Sequence, residues 1–108
     1  MDKLLNFLGL CRRAGKLVTG NDPVTEEVVG RKAKLVLVSS DISKNTEKKL
    51  LTACHRNDVK VLKLPSTTEQ LSHAIGKFSA VVAVMDTGFA KKLTELIENE
   101  KQEENVYD

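Results

Sequence analysis

Apolar residues recur along this chain with two periods, and the alternation between them lays out the elements. Leu4, Leu5, Leu8 and Cys11 fall at helical spacing behind Asp2, which predicts an amphipathic helix over residues 3–14, capped by Asp2 and ended by Gly15. Leu17-Val18-Thr19 is long enough only for a short strand. Val24 and Val28 share one face of a helix from Pro23 to about Val29, which Gly30 stops. Ala33 to Val38 is an almost unbroken apolar run, the pattern of a central strand covered on both faces, and Ser39-Ser40-Asp41-Ile42-Ser43 follows as a polar loop at its carboxyl end.

The second half repeats the scheme. Glu47, Leu50, Leu51 and Cys54 mark the buried stripe of a third helix, leaving Lys44, Lys48, Lys49 and Arg56 mostly on other faces. Val59 to Leu64 alternates as a half-buried strand does, and Pro65 ends it. Ser66 with Glu69, or Thr67 with Gln70, has the spacing of a capping box ahead of a helix that buries Leu71, Ala74 and Ile75 and stops at Gly76. Ala80 to Met85 is a second wholly apolar strand, and Gly88 opens a last helix with Phe89, Leu93, Leu96 and Ile97 on one side. The expected fold is α/β, a three-layer α/β/α sandwich around a small four-stranded, mainly parallel (mixed) sheet. Residues 1–98 form its single domain, and residues 99–108 an acidic, frayed tail.

Composition narrows the class. A chain of 108 residues, 41% hydrophobic and 30% charged, has the make-up of an ordinary soluble domain. No run approaches the roughly 20 apolar residues that span a bilayer, and no cleavage site follows the first helix, so the expectation is a cytoplasmic protein without a membrane partner. Cys11 and Cys54 are isolated among apolar helical neighbours, as buried reduced thiols are, and His55 and His73 lack partners at metal-ligand spacing. Walker, G-x-S-x-G and dinucleotide signatures are missing, which argues against an enzyme and for no cofactor or metal. Asp41 and Asp86, near strand ends, are the carboxylates a small-molecule enzyme would use, with placement as their sole support.

Charge adds an asymmetry that the net value of +2 hides. Residues 1–64 hold 13 Lys and Arg against 7 Asp and Glu, whereas residues 65–108 hold 4 against 8. Such a split suggests one basic face attractive to a polyanion, unless the charges interleave once folded. The second helix start lies in the basic half. Gly20 ends an apolar run, Asn21 and Asp22 offer side-chain oxygens, and Pro23 has the fixed φ of a first helical position. An outward-facing helix start either is simply capped or presents its unpaired N–H groups to phosphate or to a base. Arg12 and Arg13 either complement the dipole at the end of their own helix or, with Lys16, extend the positive field of the next one.

Leu8 to Lys16, Lys32 to Leu37 with Ser40-Asp41 close behind, Gly20 to Glu26 and Asp86 to Ala90 together resemble one family. It is the L-seven-Ae and L-thirty-e superfamily of ribosomal and kink-turn RNA-binding proteins, in its small bacterial YlxQ-like branch, and the similarity covers nearly all of residues 1–98. The resemblance implies that the helix start enters the groove of a kinked RNA through a Gly-Thr-Asn-Glu-x-x-Lys motif. Gly20, Asn21, Asp22, Pro23 and Glu26 stand at the motif positions, and Gly76-Lys77-Phe78-Ser79 would cover a flipped-out nucleotide. Two departures stand out: Pro23 offers no polar group, and Glu26 places a negative charge where the motif has a cation.

The implied function is non-enzymatic binding of structured RNA, with rRNA or the ribosome as candidate partners, no DNA, and a monomer as the expected state. Lys16, Gly20, Asn21 and Asp22 would approach the RNA, with Arg12, Arg13, Lys44, Lys48 and Lys77 gripping phosphates. Phe78 is either a stacking platform for an unpaired base or a cover for the sheet. The alternative function is a protein–protein interaction module on the same fold with a degenerate RNA site.

Overall fold

The computed structural model describes the backbone of residues 2–106 and the side chains of residues 2–99. In chain order the elements are α1 (Lys3–Arg13), β1 (Leu17–Thr19), α2 (Asn21–Val29), β2 (Leu35–Val38), α3 (Lys44–Arg56), β3 (Val61–Lys63), α4 (Thr68–Ile75), β4 (Val81–Val84) and α5 (Thr87–Val106). Local chemistry accounts for their ends. The Asp2 carboxylate accepts the N–H groups of Leu4 and Leu5 at 2.9 and 3.2 Å, and Gly15 leaves α1 with φ at +73°. Thr67 and Gln70 form the reciprocal capping box at the start of α4, resolving the choice in favour of that pair, and Gly76 closes the helix in the left-handed region. α5 begins one residue before Gly88, with the Asp86 carboxylate accepting the N–H of Phe89 at 2.9 Å.

The four strands are arranged β1-β4-β2-β3. Side chains alternate across the sheet, so each apolar strand feeds two cores. Leu35, Leu37, Val82 and Val84 pack with Leu4, Leu8 and Cys11 of α1, Leu71 and Ile75 of α4, and Leu93 and Ile97 of α5. Val36, Val38, Val81 and Ala83 pack with Val24 and Val28 of α2 and Leu50 and Cys54 of α3. The two faces give the expected α/β/α sandwich around a mixed sheet.

The expected dominance of parallel pairing is corrected. β2 and β3 pair in parallel, but β4 is antiparallel to both of its neighbours, β1 and β2. Three strands thus run one way, and β4 lies between them running the other. The cause is the turn after α4. Ser72 Oγ accepts the N–H of Ser79 at 3.0 Å and donates to its carbonyl at 3.3 Å, holding the chain near the end of the sheet where β3 finished. β4 therefore enters beside Ser39, whose N–H donates to the Ala80 carbonyl at 2.9 Å, and runs back against β2. A parallel return would need a crossover to the opposite end of the sheet.

The backbone of α5 continues as helix to Val106, where the sequence suggests a frayed tail from residue 99. The side chains of residues 100–108 lie outside the described residues.

Candidate functional site

The carboxyl ends of β1, β2 and β3 and the amino end of β4 share one end of the sheet, and three helices start there. α4 is closed by its capping box. The Asp41 carboxylate adds to that closure, accepting the N–H of Thr68 at 2.7 Å and its hydroxyl at 2.8 Å. These bonds, the backbone one foremost, hold the Asp41 carboxyl below its ordinary value of 3.8. Buried Ser39 completes the network with a 2.7 Å bond to the Thr68 hydroxyl. α3 is capped by Ser43, whose hydroxyl accepts the Thr46 N–H at 3.3 Å.

α2 starts differently. Gly20 is its N-cap, with φ at +94° and ψ at 149° and no side-chain cap. Only glycine adopts that backbone region without strain. Asn21 and Asp22 therefore occupy the first helical turn, and Pro23 sits third rather than first; its missing N–H falls among those that have no helical acceptor in any case. No described residue accepts the N–H groups of Asn21 and Asp22, and both side chains are exposed. The N–H of Gly20 is taken by Ser79, whose hydroxyl accepts it at 3.1 Å.

That bond revises the reading of the Gly76-Lys77-Phe78-Ser79 loop. Ser79 is buried, its hydroxyl also donating to the Val81 carbonyl, so it is not a surface contact but the tie that sets the loop beside α2. Gly76, Lys77 and Phe78 remain exposed. Phe78 is 81% exposed, which discards the alternative that it covers the sheet.

A groove of about 190 Å³ adjoins the α2 start, lined by Asn21, Asp22 and Thr25 of α2 and by Thr46, Lys49 and Leu50 of α3. Lys49 is the cation that sequence reasoning missed. It lies one residue before the buried Leu50 and three after Thr46, a spacing that points it toward α2. Lys44 and Lys48, one turn apart, fall on the opposite side of α3 and do not line the groove.

Arg12, Arg13 and Lys16 are exposed, but Lys16 is not beside the start of α2 as expected. The Lys16 carbonyl accepts the N–H of Met85, just past the far end of β4. β1 thus separates Lys16 from Gly20 by about 13 Å. Glu26 is exposed one turn along α2 from Asp22, so the mouth of the site carries two carboxylates and the nearby Lys49 rather than an unbroken positive field.

Nothing in this arrangement resembles a catalytic centre. Asp41 and Asp86 are occupied as helix caps. Burial pushes the Cys11 thiol up to about 11 and raises that of Cys54, so both stay protonated and inert. Among the described residues, no group of His, Cys, Asp and Glu is arranged to hold a metal ion, and no helix is long and apolar enough to cross a membrane.

Comparison with known proteins follows the same lines. The model of the Ribosomal protein L7Ae/L30e/S12e/Gadd45 family matches residues 2–94. RNA-binding protein YlxQ of Enterococcus faecium is 42% identical over 96 residues, 89% of this chain and 92% of that protein. RNA-binding protein YlxQ of Bacillus subtilis (strain 168) is 45% identical over 93 residues, 85% of this chain and 92% of the relative. Among solved structures, a protein of unknown function from Bacillus halodurans C superposes with a TM-score of 0.85 at 38% identity, covering 91% of this chain and 99% of that one. The Giardia lamblia 15.5kD RNA binding protein shares the fold, with a TM-score of 0.72 at 19% identity over 89% of this chain and 82% of its own.

Proposed function

We propose that this chain, which belongs to the Ribosomal protein L7Ae/L30e/S12e/Gadd45 family, binds structured RNA at the start of α2 and performs no catalysis. The names of the YlxQ relatives support RNA as the partner. The observation that carries the reading is the Ser79–Gly20 bond, which ties the residue after the exposed Phe78 to the residue before Asn21 and Asp22, whose N–H groups are open. A ring free of the core can stack on an unpaired base, and the adjacent N–H groups can meet acceptors on a base edge or a phosphate. The carboxylates of Asp22 and Glu26 repel phosphate but accept N–H donors from a base edge, so the mouth faces bases. Lys49 and Lys77 flank it and take the backbone.

The RNA we infer is a kinked or looped one with an extruded nucleotide, of kink-turn type, in the cytoplasm and on rRNA or the ribosome. Lys16, at the other end of β1, would meet only an RNA that extends past the mouth.

The test is a gel shift against a panel of kink-turn RNAs and total RNA at low and moderate salt, with the native protein and with Phe78→Ala. Salt-sensitive binding of a structured RNA that weakens in the variant is expected. Absence of a shift in every lane sinks the reading and favours a protein-interaction module on this fold.

A further inference from the structure

The opposite edge of the sheet carries a second, separate surface. β3 is an edge strand. The Lys60 carbonyl and the Leu64 N–H bond to β2, so the alternate residues Val61 and Lys63 turn their N–H and carbonyl groups outward. Between that edge and α3 lies a groove of about 480 Å³ lined by Leu51, Thr52, His55, Arg56, Val59 and Val61. Leu51 is 42% exposed there. Lys44 and Lys48 lie on the same side of α3 as Leu51 and His55, by helical periodicity. Arg56 has no carboxylate at ion-pair distance among the described residues, while Lys60 pairs at 3.9 Å with exposed Glu98 and Lys63 at 3.3 Å with half-buried Glu47.

We propose that this edge is a docking site for an extended acidic peptide segment of a protein partner, one that alternates carboxylate and apolar residues. Such a strand would pair its backbone with Val61 and Lys63, seat its apolar side chains against Leu51, Val59 and Val61, and set its carboxylates against Arg56 and Lys48. Charge selects the occupant. A second copy pairing through the same edge would bring the Lys60 and Lys63 of both chains together, which like charges disfavour. An RNA strand has no amide backbone to complete the ladder. The surface lies away from the start of α2, on the other side of α3, so it goes beyond the RNA-binding reading and leaves that mouth free.

The probe is a fluorescein-labelled seven-residue peptide alternating Glu and Val, followed by anisotropy and by amide chemical-shift mapping on the full chain. Saturable binding is expected, with shifts confined to Lys48–Arg56 and Val59–Lys63, and Lys48→Glu with Arg56→Glu weakens it by about tenfold or more. The same peptide N-methylated at alternate residues tests the ladder without altering the protein, and it loses binding. No saturation, equal binding of a Lys-Val peptide, unchanged binding after N-methylation, shifts elsewhere, or displacement of the peptide by an oligouridine RNA each overturns the proposal.

Discussion

Ser79 Oγ accepts the N–H of Gly20 at 3.1 Å, joining residues 59 positions apart in the chain. Through it the loop before β4 and the start of α2 behave as one surface. Ser79→Ala removes the acceptor and leaves a partly buried N–H unsatisfied, a loss of about 1–3 kcal/mol in stability. Urea denaturation measures that loss, and a several-fold weaker RNA affinity should accompany it even though Ser79 touches no RNA.

Gly20→Ala puts a Cβ on a residue at φ +94°. The nearest atom, Pro23 Cδ, is 3.5 Å from that Cβ, so strain comes from the backbone and not from a clash. The variant is expected to lose about 1–3 kcal/mol and to bind RNA less tightly, because relief of the strain moves the first turn of α2.

Phe78→Ala separates folding from binding. A ring that is 81% exposed contributes little to the fold, and stability should stay within about 0.5 kcal/mol of the native value. RNA binding should fall by about 1–3 kcal/mol, the worth of one stacked base. A fluorescence titration beside a melting curve reads both.

Lys49→Ala is expected to lower RNA affinity and to flatten the dependence of log K on log salt by about 0.7, one phosphate contact to a single strand. Lys44→Ala and Lys48→Ala, on the far side of α3, should leave that slope unchanged. A salt titration of all three variants is the measurement.

Asp41 carries a pH dependence. Its folded carboxyl titrates below the ordinary 3.8 because Thr68 donates to the ionised form. The stability it adds is complete above the unfolded value and is lost as the pH falls through the lowered folded one. Asp41→Asn keeps an acceptor but loses the charge. The urea midpoint of the native chain should exceed that of the variant well above pH 3.8, and the gap should narrow as the pH falls below 3.8.

The apolar runs in β2 and β4 announce two buried faces in the sequence itself, because successive side chains such as Leu35, Val36, Leu37 and Val38 point to opposite sides and none is polar. Strand direction was not legible, since it depends on the Ser72–Ser79 contacts that turn the chain back. Sequence proximity misled in one place: Lys16 is four residues from Gly20, yet an intervening strand converts that interval into distance rather than neighbourhood. Polarity misled in another, where Ser79 looked like a surface contact and proved to be a buried brace. Lys49 was concealed among three lysines of α3, and only the position of its neighbour Leu50 betrayed which one faces α2.

β4 comes after the other three strands in the chain and is the one of the four that touches both β1 and β2. A nascent chain that has not yet extruded residue 81 holds β1 with no hydrogen-bonded neighbour and the sheet as a β2–β3 pair alone. The start of α2 and the loop that faces it are therefore brought together only once β4 stands between β1 and β2, and a fragment that stops short of β4 has no mouth between them.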